Sequence, residues 1–232
     1  MTDMFFFGTL CDRRLLDIVL GHDRVECVAA ELPDYAVHWV RNEAFPILVA
    51  KIGASAQGVL CQGLSPQDVA RLHYYEAGFD YETRPVEIRH QNGGARVEVY
   101  FATPGAWTPG APWDLSVWQA KYAPAIHRVA AQIMQAYQPG AAPISQHRQL
   151  VLGQRAQARV AAAQDPTPRL DGTPDGTKIR QRDRTQPYDA FFAVEDVTLT
   201  IPRFDDQPSD PVVRSVFVSA DAVSVLPYDP VT

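Results

Sequence analysis

The sequence predicts an α+β chain: a closed or nearly closed β-domain carrying a few helices, then two helices, a linker and a β-hairpin. Three observations predict it. Short apolar runs punctuated by turn residues fill residues 1–112, longer runs with helical spacing continue to residue 164, and a β-pattern returns after a stretch rich in Pro, Gly and charge. With 232 residues, 46% of them hydrophobic, the chain can bury at least one core.

The first element is a strand that runs into "FFFGTL", Phe5 to Leu10. Glycine lets the backbone turn sharply, and threonine can hydrogen-bond locally, so the strand ends there. "CDRRLLDIVLG" follows, with Leu15, Leu16, Val19 and Leu20 at helical spacing and Gly21 as a stop. The loop therefore joins a strand to a helix, a place where free amides and the helix dipole favour an anion. Taken alone, it reads as a core strand followed by an ordinary tight turn. Further strands are expected at "AVHWV", "FPILVAKI", "GVLCQGL", "RPVEIRH" and "ARVEVYFA", the last two joined by the hairpin turn "QNGG". Between them, "SPQDVARLHYYEAG" reads as a helix with Ser65 as N-cap, Pro66 at the first position and Gly78 near its end.

"WDLSVWQAKYAPAIHRVAAQIMQAY" predicts a long helix with a kink at Pro124, and "SQHRQLVLGQRAQARVAAAQ" a second one; together they form a helical extension over 113–164. Residues 165–188 carry too little apolar surface to order themselves and read as a linker. Residues 189–232, "DAFFAVEDVTLTIPRF" and "VVRSVFVSADAVSVLPYDPV", read as a hairpin too apolar to stay solvated, which must fold back on the chain or pair across a homodimer.

Charge and cysteine usage narrow the function. A net charge of -6 offers no electrostatic footprint for nucleic acid or an anionic membrane. Cys11, Cys27 and Cys61 show neither a paired framework nor a C-x-x-C spacing, which points to a reducing compartment and away from zinc. The acidic N-terminus lacks the features of a signal peptide, so a cytoplasmic location is expected. The histidines at 22, 38, 73, 90, 127 and 147 show no metal-ligand spacing. No cofactor is implied.

One segment stands out for chemistry, "LHYYEAGFDYETRPVEI". Glu76 falls in the last turn of its helix between Tyr75 and Ala77, where desolvation and the helix dipole both disfavour its charge and raise its pKa. Such a carboxyl makes a proton shuttle; the plainer alternative is a partly solvated glutamate at a helix end. Cys11 reads as a small apolar filler rather than a nucleophile, since no histidine is near it in sequence.

In order and spacing, the strand ending in an aromatic-Gly-Thr-Leu loop, the helix ending Leu-x-x-x-Glu-x-Gly, the run Tyr-x-x-Arg-x-Val-x-Ile and the strand "VEVYFA" resemble the gamma-glutamylcyclotransferase-like family over residues 4–112. The resemblance implies a small β-barrel with a cavity at the strand-loop-helix turn. It also implies an enzyme that cyclises a γ-glutamyl amine or dipeptide to 5-oxoproline and releases the amine, with no metal. Glu76 would be the acid/base, and Phe7, Gly8, Thr9 and Leu10 the substrate-binding loop. Tyr81 and Arg84 match the strand motif and would line the mouth, or else serve as a packing aromatic and a surface cation. Family loops commonly begin with tyrosine where this chain has Phe7, which removes one hydroxyl from the pocket. Residues 189–232 resemble instead the opening strands of Nudix hydrolases of the ADP-ribose pyrophosphatase type, as in two-domain cyclotransferase-like/Nudix proteins named for tellurite resistance. The Nudix box is absent. The chain thus reads as the first portion of such a protein, and the competing function is a non-catalytic sensing or docking module for a pyrophosphatase.

Overall fold

The computed structural model describes residues 1–164, 179–203, 205 and 207–219. Two compact units divide the chain, Met1–Gln149 and Leu150–Thr232.

In the first unit five strands close a barrel. The strands are β1 (Thr2–Phe6), β2 (Cys27–Val40), β3 (Pro46–Leu64), β4 (Tyr81–His90) and β5 (Gly93–Ala102). Their order is β3-β1-β5-β4-β2, and β2 pairs back onto β3 to close the ring, while the short β6 (Pro109–Pro112) adds to β2. All pairings are antiparallel except that of β1 with β5, where Phe5 lies beside Val99. The "QNGG" turn forms as expected between His90 and Gly93. "FPILVAKI" and "GVLCQGL" are one continuous strand rather than two, and β2 begins earlier than the apolar run "AVHWV" indicated. A register shift between Pro33 and Tyr35 bends the β2–β3 ribbon, where Gly53 N–H donates to the Asp34 carboxylate at 2.8 Å.

Phe5, Phe7, Leu32, Leu60, Ile88, Val99 and Phe101 fill the barrel. Gly58 marks its tightest point, since a Cβ there would sit 2.1 Å from the Phe6 carbonyl oxygen. Cys27 and Cys61 face each other in the β2–β3 register, with Cα atoms 4.2 Å apart, and form a disulfide. The expectation of three unpaired cysteines is therefore corrected: register, not sequence spacing, brings the two together.

Helices α1 (Arg13–Leu20), α2 (Pro66–Glu76), α3 (Leu115–Lys121) and α4 (Ala123–Gln135) pack beside the barrel. Ser65 caps α2 as expected, and the structure adds a reciprocal pair with Asp68. The single long helix expected after residue 113 is instead two, because the backbone breaks at Tyr122 and Pro124 lies in the first turn of α4, where its missing N–H leaves no bond unmade. Both belong to the first unit, not to a separate extension. Trp118 on α3 is fully buried and its indole N–H donates to the Ala44 carbonyl at 2.9 Å.

The second unit contains most of α5 (Gln146–Gln164) and a three-stranded antiparallel sheet, β7 (Arg180–Asp189), β8 (Ala193–Thr200) and β9 (Val212–Val218). The expected hairpin is β8–β9, and β7 corrects the linker assignment over 180–188: a run of charged residues becomes a strand by pairing with β8. Residues 165–178 of the proposed linker, and Val223 and Val225 of the proposed hairpin, lie outside the described residues. Within this unit the Arg155 guanidinium donates to Asp189 at 2.6 Å, and Arg159 donates to Glu195. Among the described residues no helix is long and apolar enough to cross a membrane.

Candidate active site

A cleft lies where β1 hands over to α1. Phe7, Gly8, Thr9 and Leu10 form one wall. Glu76 at the end of α2, Phe79, Tyr81 on β4, Tyr100 on β5 and the Phe45–Pro46 loop form the rest.

The loop is short because the chain reverses within a single 3-10 turn, in which Cys11 N–H donates to the Gly8 carbonyl at 3.0 Å and Asp12 N–H to Thr9 at 2.9 Å. The carbonyls are thereby satisfied, while the N–H groups of Gly8, Thr9 and Leu10 have no acceptor among the described residues. Gly8 also packs against Pro46, whose ring would lie 2.6 Å from an added Cβ. Behind the loop, Asp12 caps α1 through Leu15 N–H at 2.8 Å and accepts from Gln119 of α3 and His127 of α4 at 2.8 and 2.7 Å. Burial works against its charge, but these donors outweigh it and hold the carboxyl below its ordinary pKa. The loop is thus tied to three helices. Cys11 donates its thiol to the Phe6 carbonyl, and burial pushes its pKa up to about 12, so it is unsuited to act as a nucleophile.

Glu76 is 7% exposed. Desolvation pushes its pKa up to about 8, so that near neutrality it holds a proton. The plainer alternative of a solvated glutamate is not what the fold produces. Tyr81 and Tyr100 stand in the same cleft, and burial followed by the charge of Glu76 raises both phenols. The Tyr81 hydroxyl donates to the Pro46 carbonyl at 2.8 Å, while that of Tyr100 meets His73 Nδ1 at 3.1 Å. Phe45 joins the walls, with its ring centroid 5.0 Å from Phe79, 5.1 Å from Trp107 and 6.5 Å from Tyr81.

Arg84 is the exception among the expected residues. It is exposed, pairs with Glu82 at 3.2 Å and stacks over the Phe101 ring, away from the cleft. Strand geometry explains why, since residues three apart point to opposite faces. The same alternation places Tyr100 on the face of Tyr81, because Tyr100 pairs with Thr83 and Tyr81 with Ala102. Tyr100, Phe45 and Phe79 were not singled out from sequence; only the β4–β5 register could have pointed to the first.

The family model for gamma-glutamyl cyclotransferase, AIG2-like, matches residues 4–120. The chain belongs to this family. Among solved structures, one protein from Arabidopsis thaliana is 20% identical over 58% of this chain and 91% of its own, with a TM-score of 0.41. A gamma-glutamyl cyclotransferase is 12% identical over 63% of this chain and 94% of its own, with a TM-score of 0.42. An AIG2-like protein from Mus musculus is 14% identical over 49% and 88%, with a TM-score of 0.39. No curated protein matches the sequence.

One consequence of the buried carboxyl is measurable without substrate. Between pH 4.5 and about 8 the folded chain holds a proton on Glu76 that the unfolded chain releases, so this group's contribution to stability falls as pH rises through that window. Glutamine at 76 does not titrate. The melting temperature of Glu76→Gln is therefore expected to gain on wild type between pH 5 and pH 8, and a constant gap would show that Glu76 is not buried as described.

Proposed function

We propose that the chain is a gamma-glutamylcyclotransferase-type enzyme that converts a γ-glutamyl amine or dipeptide to 5-oxoproline and the free amine. The observation that carries this reading is Glu76, a buried carboxyl with a pKa near working pH, in one cleft with the unpaired amides of Gly8 to Leu10. The α-amine of the substrate attacks its own γ-carbonyl. The ring closure is intramolecular, so the protein's task is to hold the folded-back conformer and to move protons.

Glu76, as carboxylate, takes a proton from the attacking nitrogen and returns it to the departing one, while the loop N–H groups hold the substrate's carboxylate and the aromatic walls keep water from the carbonyl. Phe7 supplies only an apolar surface. The test is to incubate the protein with a panel of γ-glutamyl amines and dipeptides and to assay 5-oxoproline. Release from at least one member is expected, and silence across the panel would overturn the enzymatic reading.

A second reading keeps the barrel as a non-catalytic docking or sensing module for an ADP-ribose pyrophosphatase of the Nudix type. It is favoured by one observation in the C-terminal unit, the exposed aromatic cluster formed by Phe191 and Phe192 in the turn between β7 and β8 with Phe217 on β9. A silent panel would favour it.

A further inference from the structure

The cyclisation moves more protons than one carboxyl can carry. The attacking nitrogen arrives as an ammonium with three hydrogens and ends in the lactam with one. Glu76 delivers one of the two lost protons to the leaving nitrogen. The other has to reach solvent while substrate fills the cleft, and the released amine takes up its final proton outside, so the sum balances.

Two phenols line the cleft besides the carboxyl, and their hydroxyls lead to different places. That of Tyr81 ends on the Pro46 carbonyl, which has no proton to pass on. That of Tyr100, a buried residue, meets Nδ1 of His73 at 3.1 Å, and His73 is exposed. His73 stands three residues before Glu76 on α2, on the same helix face. The remaining cleft residues, apart from Glu76 and Thr9, are apolar or glycine. Tyr100 and His73 therefore make a two-member chain from the cleft to water.

We infer that Tyr100 and His73 carry this second proton. The Tyr100 oxygen takes a proton from the substrate ammonium as it gives its own to His73 Nδ1, and the imidazolium so formed releases a proton from Nε2 to water. No bond other than N–H and O–H is made or broken, and no co-reactant is needed. Imidazole suits the outer position because its two ring nitrogens can take a proton on one side and release one on the other. The inference rests on the cyclotransferase reading above.

The test is chemical rescue in the full chain. His73→Ala is expected to lower kcat by about 10- to 100-fold with KM little changed, at or below the lower end of what positioned proton transfer contributes. Added imidazole should restore turnover in proportion to its concentration. Tyr100→Phe should lose kcat similarly and gain nothing from imidazole. His73→Gln, which keeps an acceptor for Tyr100 but cannot relay a proton, should resemble His73→Ala. Wild-type kcat in either His73 variant, or a loss in His73→Ala that imidazole does not reverse, overturns the relay and leaves the cyclotransferase reading standing. Absence of 5-oxoproline from wild type with every substrate overturns both.

Discussion

Glu76→Gln is expected to lower kcat on γ-glutamyl substrates by about 100- to 10,000-fold, the range attributed to a positioned acid or base. Glutamine keeps the shape and fills the same space at the end of α2, so the cleft and the loop amides stay in place. What it loses is the ability to accept a proton from one nitrogen and give it to another. KM should therefore move little, since the interaction removed is made in the transition state. The pH profile supplies a second reading of the same group. Because the carboxylate is the form that accepts the proton, kcat/KM should climb with pH through an ionisation near 8. Steady-state assays of both proteins across pH 6–10 check this, and a variant retaining wild-type turnover would assign the chemistry to another residue.

The second large effect is structural. Gly58→Ala is expected to destabilise the barrel by at least the upper end of the roughly 1–3 kcal/mol typical of overpacking, a large share of the roughly 5–15 kcal/mol that holds a domain together. The added carbon would lie 2.1 Å from the backbone oxygen of Phe6 and 2.7 Å from the Phe5 ring. A side chain could swing aside, but this oxygen belongs to β1, which is held between β3 and β5. Any shift of β1 also moves the Phe7–Leu10 loop that it feeds. Denaturant titration should thus show a lower midpoint. An unchanged midpoint would mean that β1 and β3 are further apart than described.

Local signals in the sequence were enough to place the turn after β1, α2 with its cap and Glu76 at the helix end, because each rests on a few adjacent residues. Properties that depend on pairing were not legible in the same way. Arg84 looked like a companion of Tyr81 until strand parity put it on the other face. Cys27 and Cys61 met only once the β2–β3 register was known. Strand β7 has the sequence "RQRDRTQPYD", whose polar character hides a strand stabilised by its neighbour rather than by its own pattern. Tyr100 and Phe45 entered the site from distant stretches, which no periodicity within either stretch could announce.

The position of β1 in the barrel also sets the order in which the molecule can be made. Met4, Phe5 and Phe6 leave the ribosome before their partners, which are Cys61, Leu60 and Val59 on one side and Glu98 and Val99 on the other. Until β3 and then β5 have been synthesised, the apolar run Met4–Phe6, buried in the folded chain, has nothing to pair with, and the parallel contact with β5 waits longest. Pairing across such separations is slow, and an unpaired apolar strand is prone to join another chain. Yield during expression should accordingly depend on how long that strand stays uncovered, and synthesis at lower temperature or with a holding chaperone present should recover more folded protein.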